Sequence, residues 1–218
     1  MLMKILKLIV GILSIPLMFG VTYAFYVNIT AVSQLSGILQ YFVWGVVSYV
    51  ALHLLFYKPT AVYVLGHEAV HGIFAWIMGG KIQSFNVSKE GGSVTTDKTN
   101  TFIELSPYFV PIYAIILMAV YYVISYSYRI NGAAFIYLIG FALAFHVVMT
   151  IEVMKIRQPD ILKSGYLFSI VFVYVLNIII IALLFSLMFR SFSAKHFFID
   201  TWNATKGVYI GLIKQLFI

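Results

Sequence analysis

Residues 61–80, AVYVLGHEAVHGIFAWIMGG, are apolar except for one interruption, a complete H-E-x-x-H made by His67, Glu68, Ala69, Val70 and His71. On a helix, residues four apart share a face, so His67 and His71 can present two imidazoles to one metal ion. Glu68 lies about 100° further round, where it can reach a water on that ion without being a ligand. Gly66 and Gly72 bracket the motif, as expected where another backbone comes close. With five His and four Glu in 218 residues, random placement produces this pattern in roughly one chain in five hundred. Ionisable groups near the centre of a bilayer cost about 2.5–3.5 kcal/mol each, and those that persist there generally serve function. The spacing therefore points to a metal centre, with buried structural histidines as the plain alternative.

The rest of the composition fits a membrane setting. The chain is 62% hydrophobic and 10% charged, with a mean hydropathy of +1.00, as in an integral membrane protein. Its net charge of +7 comes from basic residues in short loops and the tail, which favours anionic lipid headgroups over nucleic acid as the partner. There is no cysteine. Disulfides and thiolate ligands are excluded, so any metal must be held by His and carboxylate.

Outward from the motif, the chain divides into apolar runs and short connections. Residues 8–27, after Lys4 and Lys7, read as a retained anchor with a kink at Pro16. Residues 28–34 read as a polar turn and 35–57 as a second span, whose His53 is expected to be a hydrogen-bonded helix residue. Residues 81–101 are the longest hydrophilic insertion. Ile82, Phe85 and Val87 before Glu90-Gly91-Gly92-Ser93, with Val94-Thr95-Thr96 after it, suggest a hairpin; a plain loop is the alternative. A strand edge beside a hydrolytic site could hold a substrate extended by backbone hydrogen bonds. Further runs cover 107–127, 132–151 (with His146, ending at Glu152) and 164–189, and the charged connection 155–163 contains Asp160. The tail reads as an amphipathic helix lying on the membrane. The expected architecture is an all-α integral membrane protein of about six transmembrane or re-entrant helices, with a short β-hairpin after the metal-binding helix. Its parts are an N-terminal transmembrane hairpin (1–60), a membrane-embedded metalloprotease core (61–190) and an interfacial tail (191–218).

The chain resembles the site-2 protease family of intramembrane zinc metalloproteases. The likeness lies in residues 66–72 within an apolar helix, in the strand-like insertion straight afterwards, and in an Asp near the start of a later span; it covers roughly residues 60–180. It implies Zn2+ held by His67, His71 and a downstream Asp, matched here by Asp160 in Gln158-Pro159-Asp160-Ile161, with Glu68 as the catalytic base. The implied substrate is a transmembrane protein, cleaved in or near its membrane segment, and the implied location is a prokaryotic cell membrane. Ile161 stands where the family usually has Gly, and no upstream Asn-Pro signature is present, so the chain looks like a divergent, minimal member without a PDZ domain. A non-proteolytic protein that binds or carries a metal is the alternative function.

Topology bears on the third ligand. If all six runs cross, the connection with Asp160 emerges opposite Lys58, and the basic residues divide eight to six between the two sides. If residues 61–80 instead dip in and return, Asp160 lies on the side of Lys58 and the division is nine to five, a better fit to the positive-inside rule. Full crossing makes His146 the rival ligand, and Glu104 and Glu152 are the remaining carboxylates near the core.

Overall fold

Proline and glycine punctuate a chain that is otherwise almost entirely helical. The computed structural model describes residues 2–35, 37–88, 91–156 and 158–217; Lys89 and Glu90 of the expected hairpin turn and Arg157 of the charged connection lie outside them. The elements run α1 (Leu2–Leu13), α2 (Ile15–Leu35), α3 (Leu39–Leu55), α4 (Thr60–Ile77), β1 (Ile82–Val87), β2 (Gly92–Thr96), α5 (Thr101–Phe109), α6 (Ile112–Ser127), α7 (Gly132–Met154), α8 (Pro159–Ser164), α9 (Tyr166–Met188) and α10 (Ala194–Phe217). They form two compact units: residues 37–160, and residues 1–36 with 161–218.

The unit 37–160 holds the motif. Its closest helix pair is α3 and α7, where a Cβ on Gly45 would collide with the Tyr137 carbonyl and one on Gly140 with the Phe42 carbonyl. Between apolar helices, such small residues let backbones approach and gain dispersion contacts. Tyr49, wholly buried, sets its ring edge-on to Phe141 and Phe145 at 5.2 and 5.5 Å. One turn on, His53 bonds Tyr49 Oη through Nδ1 at 3.1 Å and faces Glu152 through Nε2 at 3.2 Å, the hydrogen-bonded role expected of it. Glu152 also accepts from Lys58 Nζ at 2.6 Å.

The motif segment is one uninterrupted helix, α4. It stops where Gly79 takes φ +74, a conformation natural to glycine, and Gly80 N–H returns to the Ala75 carbonyl at 2.8 Å. The insertion is a hairpin: β1 and β2 pair antiparallel from Ile82↔Thr96 to Val87↔Gly92, with an irregularity between Ile82 and Ser84. It folds back along α4 so closely that a Cβ on Gly92 would stand 2.6 Å from Glu68 Cγ. The glycines bracketing the motif face side chains, not backbone: Tyr113 lies over Gly66 and Ile82 over Gly72.

After the hairpin, α5 starts on an Asn100 cap, whose side chain accepts from the Phe102 and Ile103 N–H groups. It runs antiparallel to α4, since Phe74 meets Phe102, His71 meets Ile103 and His67 meets Tyr108 in turn. The run expected at 107–127 is therefore two helices. Pro111 cannot donate to the ladder, and α5 and α6 meet there at 68°.

In the other unit, α1 and α2 are separated only at Ser14, two residues before Pro16, whose missing N–H cannot reach the Ile12 carbonyl. α9 packs on both, with the Phe168 backbone 3.1 Å from where a Gly11 Cβ would be. α10 lies along α2, where Thr205 fills the space beside Gly20 and Asn28 Nδ2 donates to Asp200 Oδ2 at 2.9 Å.

One expectation is corrected. Residues 28–34 continue α2 instead of turning, because Asn28 is buried and paired with Asp200. The tail contains a 24-residue helix, α10, whose packing partner is α2; the compact units divide at 36/37 and 160/161, whereas the expected parts divide at 60/61 and 190/191. Among the described residues three helices are long and apolar enough to cross a membrane: Leu2–Thr30, Gly132–Met154 and Tyr166–Met188. The bent pair α5–α6 adds a fourth if counted as one span. Lys58 and Glu152, which a six-crossing arrangement puts on opposite faces, form an ion pair. Gly140→Ala should force α3 and α7 apart at a cost of about 1–3 kcal/mol, read as a lower thermal midpoint in detergent; a melt coincident with wild type would show that the contact can relax freely.

Candidate metal centre

α4 presents His67 and His71 on one face, as the i, i+4 spacing requires, with ring centroids 4.9 Å apart. His71 Nδ1 lies 2.9 Å from the Ile103 carbonyl oxygen. A carbonyl can only accept, so Nδ1 carries the proton and Nε2 keeps its lone pair for an ion. This is the outer-shell contact typical of a metal-binding histidine.

Asp160 reaches the same face from the first turn of α8. Pro159 suits the first helical position, where its missing N–H is not needed. Asp160 Oδ2 stands 3.6 Å from His71 Nε2, with the two side chains 25% and 12% exposed. Ligand atoms about 2.1 Å from a tetrahedral ion lie about 3.4 Å from one another, so this spacing suits a shared ion. Ligand atoms of His67, His71 and Asp160 all fall within 4.8 Å of one another. The donor set, two imidazoles and one carboxylate with one position left for water, matches what a catalytic Zn2+ takes.

Glu68 stands outside that group. It is buried between α4 and β2, accepts a hydrogen bond from the Val94 backbone, and lies within electrostatic reach of His71 and Asp160. His146, the rival ligand, is buried on α7 and lines a pocket with His67 that neither His71 nor Asp160 lines. Glu104 sits in the first turn of α5 near Thr99, and Glu152 is held by Lys58 and His53. The structure thus gathers His67, His71 and Asp160, sets Glu68 beside them and leaves His146, Glu104 and Glu152 out of the group.

Three contributors escaped the sequence reading. Tyr108, wholly buried, sets its ring edge-on to His67 at 5.0 Å and donates its hydroxyl to Asp160 Oδ2 at 3.4 Å, touching two of the three candidate ligands. The Ile103 carbonyl and the Val94 amide act through backbone, which has no residue signature. Only Pro107-Tyr108, after a polar Asn100 start and within an apolar run, hinted at a helix that turns back.

Compared with family models, curated proteins and solved structures, the chain matches none. The likeness to the site-2 proteases stays with the residues that suggested it.

If the cluster holds Zn2+, Asp160→Asn should weaken its retention by at least about 10-fold in chelator competition, and Tyr108→Phe, one shell out, by about 10-fold. If Asp160→Asn binds as wild type does, Asp160 is not a ligand.

Proposed function

We propose that this protein is a multi-pass intramembrane zinc metalloendopeptidase that hydrolyses peptide bonds in or near transmembrane segments of other membrane proteins. One observation carries the reading: two histidines and a glutamate on one apolar helix, with the Asp160 carboxylate brought to the histidines from α8 and an open strand hairpin laid against the buried glutamate.

A zinc ion bound there supplies Lewis acidity to a water and to the scissile carbonyl. The chain's own residues do the rest. Glu68 takes the proton of the attacking water and passes it to the leaving amine as the C–N bond breaks, so the two products are a carboxylic acid and an amine. The Val94 amide faces that carboxylate from β2. Ile103 and Tyr108 orient His71 and Asp160.

Helical peptide bonds are shielded by their own hydrogen bonds, so a transmembrane substrate must be unwound before attack. The hairpin is a two-stranded sheet, and β1 is exposed along its whole length. An extended segment can add to such an edge through main-chain hydrogen bonds.

Glu68→Gln should lower cleavage of a transmembrane reporter substrate by about 10²–10⁴-fold while zinc content stays near that of wild type. A variant that loses its zinc would favour a metal carrier, with Glu68 as a ligand. Val94→Pro removes the amide that holds Glu68 and should slow cleavage at unchanged zinc content; undiminished cleavage by the folded variant would return the hairpin to the status of a connecting loop.

A further inference from the structure

The proposed reaction leaves His146 without a task, although it is buried and close enough to His67 for their charges to interact. His67, in turn, lacks what His71 has. The second nitrogen of His71 is taken by the Ile103 carbonyl, but His67 Nδ1 is buried with no hydrogen-bond partner in the protein. Metal-binding histidines almost always donate their other ring N–H, which fixes the tautomer and raises the basicity of the ligating nitrogen.

A pocket of about 20 Å³ adjoins His67 and His146, lined also by Gly66, Pro107 and Tyr113. That is room for one water, which needs two to four polar partners. They are at hand. Position 111 is proline, so the Pro107 carbonyl has no donor at its usual helical distance. Tyr113, also on the pocket wall, gives its proton to the Val62 carbonyl at 2.6 Å, which leaves the two histidine rings and the Pro107 carbonyl as the water's partners.

We propose that His146 is a positioning residue for His67, acting through one water held in this pocket. The water accepts from His67 Nδ1–H and donates to the His146 ring. His67 Nε2 is thereby left unprotonated as the ligating atom. This role rests on the metal reading of the site. It makes His146 part of the centre without making it a ligand.

The test uses the full-length chain in detergent, with zinc affinity read by chelator competition and ligand geometry by the visible spectrum of the Co2+-substituted protein. His146→Phe keeps the packing and removes both ring nitrogens. Its affinity should fall by about 10–100-fold and its Co2+ bands should shift, with the melting of the metal-free protein unchanged. His146→Gln, which can still hold the water, should recover most of the affinity. Should the Phe variant fail to fold, His146→Ala with the same two readouts decides.

Affinity within twofold of wild type and an unaltered spectrum would overturn the role. So would loss of all metal from His146→Phe together with full retention by Asp160→Asn, since His146 would then be a ligand itself. Wild-type protein that takes up no metal sinks the metal reading and this role with it. A wild type that binds, beside a variant that binds equally well, removes the role alone.

Discussion

Each polar atom that α4 carries into apolar surroundings needs a partner from outside its own helix, because its backbone bonds are already spent within it. This constraint organises the whole unit 37–160. His71 draws the Ile103 carbonyl, and with it α5; Glu68 draws the Val94 amide, and with it the hairpin. An unpaired buried polar group costs about 1–3 kcal/mol, comparable to burying a whole aliphatic side chain. Few such contacts suffice to choose among helix arrangements that apolar packing alone leaves nearly equal in energy.

The same logic explains how a carboxylate 89 positions after His71 comes to its side. Glu152, the last acidic residue of α7, is pinned by Lys58 and by buried His53. That pin places the end of α7 at the start of α4, and only seven residues separate Glu152 from Asp160. The Lys58 contact alone, being exposed, is worth little; His53, buried and backed by Tyr49, gives it a fixed address.

Residue spacing made some features legible. The i, i+4 histidines, the strand–glycine–strand pattern of 82–96 and the hydrogen-bonded role of His53 all appear as read, because each depends on neighbours within a turn or two. What escaped depends on pairing between distant segments. α7 and α9 are apolar on every side, so no stripe says which face meets which neighbour. The match of Gly45 with α7, or of Asn28 with Asp200, follows from close fit that no period encodes. Pro111 was visible, but an apolar run with a proline can kink or reverse with equal ease. Gly92 was legible as a turn residue, whereas its close approach to Glu68 was not.

The unit that holds the candidate centre is continuous in sequence, and Asp160 is its last residue. The other unit is assembled from both ends of the chain. During synthesis, therefore, His67, Glu68, His71 and Asp160 are all available to one another before α9 or α10 has been made. α2 must wait for α10, some 160 residues later; at 5–20 residues per second that is roughly 8–30 s. For that interval Asn28 has no Asp200 to bond, and the faces of α1 and α2 that α9 and α10 will cover lack those partners. The centre is thus laid down first, and the helices that begin the chain are the last to find their partners.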